Sequence, residues 1–248
     1  MSKLHYDPAF FHAWQPGSAR SARVIVPLVV DLLRPGSVVD VGCGIGAWLS
    51  VFKEYGVEDV VGVDGDYVDR AELLVDPRRF VAHDLEEPLH LQRSFDLAVS
   101  LEVAEHLRPE AAETFVESLV RLAPVVLFSA AVPEQGGADH RNEQWPEYWA
   151  ELFARHSYEP VDCVRRRVWS NPDVEVWYAQ NTLLYVERSA LARHERLACE
   201  PRPEHGALAL VHPRAYLSAL ADAPWRLTTR TLLAALPRAV VRTIRWRL

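Results

Sequence analysis

Val38-Val39-Asp40-Val41-Gly42-Cys43-Gly44-Ile45-Gly46-Ala47-Trp48-Leu49 decides the fold class of this chain. A short β-branched run enters three alternating glycines, and apolar residues resume as the chain leaves them. The pattern predicts a strand, a tight turn and the start of a helix. Such a turn lets backbone approach a ligand closely, and a helix N-terminus offers N–H groups without intrahelical partners.

Working outward, the same alternation continues. Val60-Val61-Gly62-Val63-Asp64 reads as a second strand ending in an acid. Phe80-Val81-Ala82 is a third and leads into His83-Asp84-Leu85. Residues 95–101 and 124–132 read as two more, and 161–168 and 182–187 as the final pair. In that reading Arg165, Arg166 and Arg167 alternate along a strand. Helical periodicity covers residues 22–33, 47–55, 110–122 and 144–156, with a further helix expected over 66–74 and another over 207–220. Gln15-Pro16-Gly17-Ser18 carries a turn signal. Strands alternating with helices at this spacing predict βαβ units and an α/β, doubly wound sheet. The expected division is a helical lid at 1–37, a central domain at 38–187 and an extension at 188–248.

Composition narrows the function classes. The chain has 248 residues, 49% hydrophobic and 25% charged, with a formal net charge of -7. A general nucleic-acid-binding surface is not expected from an acidic body without a recognisable reading module. Residues 224–248 carry six arginines and no acid, interleaved with leucine, valine and tryptophan. That basic amphipathic tail suits docking on the acidic body, a homo-oligomer contact, or peripheral contact with an anionic membrane. Cys43, Cys163 and Cys199 are too widely spaced for a disulfide framework or a zinc motif, so a reducing, cytoplasmic setting is expected.

Asp40 lies within the first strand, Asp64 ends the second and Asp84 follows the third. The predicted topology brings them to the carboxyl ends of neighbouring strands, the usual cleft of this architecture. A carboxylate at Asp64 can accept both hydroxyls of a ribose, and one at Asp84 can accept from an adenine amino group.

As a set, these residues resemble class I S-adenosylmethionine-dependent methyltransferases. The resemblance rests on the 38–46 motif, on Gly62-Val63-Asp64, on His83-Asp84-Leu85 and on the 95–107 region, and covers roughly residues 30–187. It implies a Rossmann-like seven-stranded sheet with S-adenosyl-L-methionine as methyl donor and S-adenosyl-L-homocysteine as product. Asp64 and Asp84 are then expected at the ribose and the adenine amino group, with Leu85 beside adenine. The turn holding Gly42, Cys43, Gly44 and Gly46 is expected at the amino-acid moiety, ordered by Asp40. Trp48 flanks the methionine or packs in the core. Gly65, Tyr67 and Leu101 complete the cofactor-side expectation.

The acceptor side is less defined. His140, in the polar loop after the predicted fifth strand, is the leading general base, since an unshifted imidazole is partly neutral near pH 7. Asn142 is expected to orient the acceptor, with Asp139 or Glu143 tuning His140. His106 is the second choice. Asp139 and His140, with Glu105 or His106, contain metal-binding residue types, but no local ligand motif joins them and no metal is expected. Trp145, Tyr148 and Trp149 either wall an acceptor pocket or pack a helix on the sheet. The expected reaction is O-methylation of a small-molecule acceptor, a biosynthetic metabolite or saccharide. N-methylation is the nearest rival, and a cofactor-binding protein without turnover is the reading from another class.

Overall fold

The structure, a computed structural model, describes residues 8–203 and 208–221. These fall into two compact units, residues 1–210 and 211–248. The basic tail expected over 224–248 lies outside the described residues.

Within the first unit the chain runs α1 (Pro8–Leu33), β1 (Ser37–Val41), α2 (Ala47–Glu54), β2 (Asp59–Asp64), β3 (Phe80–Ala82) and β4 (Leu97–Leu101). It continues through α3 (Ala112–Leu122), β5 (Val125–Ser129), α4 (Pro146–Ala154), β6 (Tyr158–Val161), α5 (Arg165–Val168), α6 (Val176–Asn181) and β7 (Leu183–Glu187), then the short helices α7 (Arg188–Leu191) and α8 (Glu195–Ala198). The second unit contributes α9 (Pro213–Ala221).

The seven strands form one sheet in the order β3-β2-β1-β4-β5-β7-β6. Strands β1 to β5 are parallel, and β7 runs antiparallel to both β5 and β6. Residues β4 97–101 and β5 125–129 are buried throughout, as expected for central parallel strands covered on both faces. Period-2 alternation sends successive side chains to opposite layers. Val38, Leu97, Val99, Val125, Leu127 and Leu184 join the layer under α1 and α2. Val39, Ala98, Val126, Phe128, Leu183 and Tyr185 join the layer under α3 and α4. On α3, Ala112, Phe115, Val116, Leu119 and Leu122 form the buried stripe of an amphipathic helix.

Strand order reverses between β1 and β4, so a crevice opens at their carboxyl ends. The glycine turn, Asp64 and the segment after β4 all sit at that edge.

Three local expectations are corrected. Residues 15–18 are not a turn; α1 continues through Pro16 and Gly17. Ala22, Ile25, Val26 and Val29 are fully buried along it, and that packing outweighs the local turn signal. Gly17 serves close approach instead, because a Cβ there would lie 2.7 Å from Glu175 Oε1. Residues 161–168 are not one strand: β6 ends at Val161 and α5 carries the three arginines. Arg165 is buried, with its guanidinium forked onto Asp162 (Nε–Oδ1 3.1 Å, Nη2–Oδ2 2.8 Å) and donating to the Leu208 carbonyl at 2.7 Å. Such a charge-paired fork needs a compact turn rather than an extended strand. Over residues 66–74 only a 3-10 turn forms, at Arg70–Glu72, capped by Asp69 accepting from the Ala71 N–H.

Candidate active site

The cofactor side is built by backbone. After β1 the chain turns sharply: the Gly42 N–H donates to the Val63 carbonyl at 2.8 Å and the Gly46 N–H to the Cys43 carbonyl at 2.8 Å. Gly42 has φ 89°, and a Cβ there would lie 2.3 Å from Val103 Cγ2. Glycine is thus required both by the left-handed backbone and by the segment following β4, which packs directly on the turn. The Gly46 carbonyl accepts from the Ser50 N–H in the first turn of α2.

Asp64 ties the turn to β2. Its Oδ2 accepts from the Gly44 N–H at 2.7 Å, and its Oδ1 accepts from the Gly65 N–H at 2.7 Å and from the Tyr67 hydroxyl. A carboxylate has about four lone-pair sites, so three are already engaged. Burial pushes the Asp64 carboxyl up from its ordinary value, opposed by these three hydrogen bonds. Asp40 is buried as well, and its Oδ2 has no hydrogen-bond partner among the described residues. Burial, reinforced by Asp64, holds its carboxyl well above the usual range. A buried acceptor without a donor is costly, and this one lies at the foot of the glycine turn.

Asp84 is exposed beyond β3, with Oδ1 accepting from the Glu86 N–H at 3.1 Å. Leu85 and Leu101 are buried. Cys43 is buried, its thiol pushed well up by burial and by Asp64 and Asp40. Trp48 is buried edge-on to Tyr178, with ring centroids 5.1 Å apart.

The other wall comes from the residues after β4 and β5. Glu102 adopts φ 55°, a strained conformation for a residue with a Cβ. Its N–H donates to Ser129, while its carboxylate accepts from Asn181 Nδ2 at 3.1 Å and Gln135 Nε2 at 2.9 Å. Glu105, in the turn Ala104–His106, is fully buried. Burial, then the neighbouring Glu102, holds its carboxyl well above the ordinary value. The backbone N–H groups of Arg141 and Asn142 donate to the Glu105 carbonyl at 2.7 and 3.0 Å, which fastens the 133–143 loop over this turn. His140 is thereby set edge-on to His106, with centroids 4.8 Å apart. His140 Nδ1 pairs with Glu143 Oε1 at 2.8 Å, while Asp139 pairs with Arg141. Burial and the adjacent His140 push His106 down to about 4, so it is neutral at pH 7. Asn142 is buried, with Oδ1 accepting from Gln144 Nε2.

The structure thus draws together His106, His140 and Asn142, three residues expected on the acceptor side. It adds Glu102, which sequence reasoning passed over although Glu102-Val103-Ala104-Glu105-His106 sets two acids and a histidine on consecutive turns. Gln135 and Asn181, which hold Glu102, carry no local signal. Of the aromatic trio, Trp149 is buried against Phe128, Tyr148 is half-buried and Trp145 is exposed.

A family model described as a methyltransferase domain matches residues 17–170, more than half of the chain. The chain belongs to the class I S-adenosylmethionine-dependent methyltransferases.

The fold of this methyltransferase is similar to that of a sugar N-methyltransferase from Streptoalloteichus (TM-score 0.56, 17% identity, 73% of this chain and 92% of that one). It is also similar to magnesium protoporphyrin IX methyltransferase from Synechocystis with bound S-adenosylhomocysteine (TM-score 0.55, 17% identity, 75% and 97%). A third similar structure is human N-acetylserotonin methyltransferase with S-adenosylmethionine (TM-score 0.51, 15% identity, 72% and 55%). The methyltransferase spans 55% of that human enzyme's length and 58% of a Nostoc punctiforme protein of proposed O-methyltransferase function. No curated protein matches the sequence.

The residues present fit S-adenosylmethionine. The unpartnered Asp40 Oδ2 lies beside a turn that tolerates no side chain at Gly42. Asp64 and Asp84 stand at the ends of adjacent strands, β2 and β3, which pair through Asp64 and Ala82.

Proposed function

We propose that this methyltransferase transfers its methyl group to a hydroxyl oxygen of a small-molecule acceptor, a biosynthetic metabolite or saccharide. The observation that carries the reading is the convergence of Glu102, Glu105, His106 and His140 beside the segment that packs on the cofactor turn. A hydroxyl is a poor nucleophile while it keeps its proton, and this group of side chains supplies acceptors for it.

Bound S-adenosylmethionine supplies an electrophilic methyl on a sulfonium. The acceptor oxygen forms the new O–C bond as the C–S bond breaks, the electron pair of that bond stays on sulfur, and the hydroxyl proton goes to the His140 imidazole. Glu143 orients that imidazole through its Nδ1. Much of the remaining barrier is met by alignment in a fixed site. The acidic body argues against nucleic acid as acceptor, and two of the enzymes sharing the fold act on a sugar and a porphyrin.

N-methylation is the second reading, favoured by the Glu102 carboxylate, because an acid beside the acceptor suits an amine. His140→Ala separates the two. Under O-methylation, single-turnover transfer falls by about 10²–10⁴-fold with S-adenosylmethionine affinity unchanged. Transfer at the wild-type rate would remove the hydroxyl reading.

A further inference from the structure

Glu105 is the most deeply buried acid of this cluster. Its side chain is fully buried at the carboxyl end of the sheet, where the backbone N–H groups of Glu105 and Ala131 and the Glu102 carboxylate lie within reach, but no well-formed hydrogen bond to either carboxylate oxygen is made among the described residues. A buried carboxyl so poor in donors keeps a proton, as burial and Glu102 already favour here, or takes a cation in its place. Two imidazoles stand beside it: among the described residues, Glu105, His106 and His140 each offer a ligand atom, and these atoms lie within 4.8 Å of one another.

We propose that Glu105, His106 and His140 bind a divalent first-row transition-metal cation, with the Glu102 carboxylate beside it, and that this cation takes the acceptor hydroxyl as a further ligand. The proposal rests on the reading of this cluster as the acceptor side.

The donor set and its support agree. Ligand atoms about 2.1 Å from one ion lie about 3–4 Å apart, so a pair at the 4.8 Å limit needs to close by about 1–2 Å. Two neutral imidazoles with a carboxylate suit Mn²⁺, Fe²⁺, Co²⁺ or Zn²⁺ better than Mg²⁺, which prefers oxygen donors throughout. Metal-binding histidines usually give their second ring nitrogen to a carboxylate or carbonyl. His140 does so at Glu143, and the Asp139 carbonyl lies within hydrogen-bonding reach of His106. Glu102 is held in place by Asn181 and Gln135, at the left-handed residue that opens the turn carrying Glu105 and His106. Three protein ligands leave positions open for an acceptor oxygen.

With the ion bound, the remaining ring nitrogen of His140 is committed to it, so His140 is a ligand in that state and the base only in the metal-free site. The acceptor hydroxyl then loses its proton to solvent because coordination lowers its pKa. The O–C bond still forms and the C–S bond still breaks, so no oxidant or reductant is involved. The site needs no local ligand motif, which is why the sequence points away from metal: Glu105 and His140 are 35 positions apart and meet only through the fold.

The test is equilibrium binding of Mn²⁺ and Co²⁺ to the full chain after chelator treatment, read by Mn²⁺ electron paramagnetic resonance and Co²⁺ visible absorption. S-adenosylmethionine affinity is measured in parallel as a report on the fold and the donor side. We expect one ion per chain, weakened about 100-fold in Glu105→Gln and in His140→Ala, with S-adenosylmethionine affinity retained. If Glu105→Gln does not fold, His106→Ala replaces it. No stoichiometric binding, or binding that both variants leave unchanged, would overturn the proposal. Cation binding with methyl transfer only to amines would keep the three-residue cation site but overturn its hydroxyl ligand together with the hydroxyl reading. Transfer to hydroxyls by chelated protein at the full rate would do the reverse.

Discussion

The Nδ1 of His140 and the Oε1 of Glu143 are 2.8 Å apart, three residues from each other on the loop after β5. Glu143 also accepts from the backbone N–H groups of Glu134 and Gly136 at 2.9 and 2.8 Å. One carboxylate thus shapes the loop and fixes the imidazole that faces His106. Glu143→Gln retains the size and one acceptor but loses the charge. Methyl transfer is expected to fall about 10–100-fold, with the S-adenosylmethionine dissociation constant unchanged by calorimetry. An equal loss in both would show that Glu143 acts only by holding the loop.

Asp40 gives the apo protein a definite pH dependence. Burial, reinforced by Asp64, raises its carboxyl well above 3.8. The native state therefore keeps a proton that the unfolded chain has released, and stability falls as pH rises from about 3.8 towards the native value. Asp40→Asn is expected to flatten that fall and to match or exceed the wild-type melting temperature at pH 7 without cofactor. The same variant should bind S-adenosylmethionine about 10–100-fold more weakly. Thermal unfolding between pH 4 and 8 checks the first point, and parallel slopes for the two proteins would refute it.

Gly42→Ala combines a steric and a conformational penalty. The new methyl meets Val103 Cγ2 at 2.3 Å, and φ 89° is unfavourable to alanine. A loss of about 1–3 kcal/mol of stability is expected. Adding Val103→Ala should recover the steric share but not the whole. Denaturant unfolding of the two variants and the double variant measures that coupling; strict additivity would mean that Val103 does not press on the turn.

Thiol labelling reads the burial pattern directly. Cys43 and Cys163 are buried, whereas Cys199 is exposed. Burial holds the Cys43 thiol well up and pushes Cys163 to about 12, so neither forms much thiolate near pH 8. Native protein should react quickly at Cys199 alone, identified by peptide mass spectrometry, with the other two labelled on denaturation. Fast labelling of Cys43 would contradict the packing of the glycine turn.

What was legible in the sequence was what local chemistry determines. Glycines at 42, 44 and 46 between a β-branched strand and an apolar helix leave few alternatives, and acids ending successive strands follow from the same topology. The illegible parts depend on distant partners. Pro16-Gly17 signals a turn until Glu175 and the buried face of α1 are brought against it. Arg165 reads as a strand residue until Asp162 and the Leu208 carbonyl claim its guanidinium. Glu105 looks like an ordinary acid on a polar turn, yet it is buried beneath a loop whose anchoring N–H groups come from Arg141 and Asn142.

The most direct test of the central claim is transfer of a ¹³C-labelled methyl from S-adenosylmethionine to a panel of small hydroxyl- and amine-bearing acceptors, with the methylated atom assigned by NMR. A methyl ether on an acceptor oxygen is expected, lost in His140→Ala. A methyl found only on nitrogen, formed at the same rate by the variant, would contradict it.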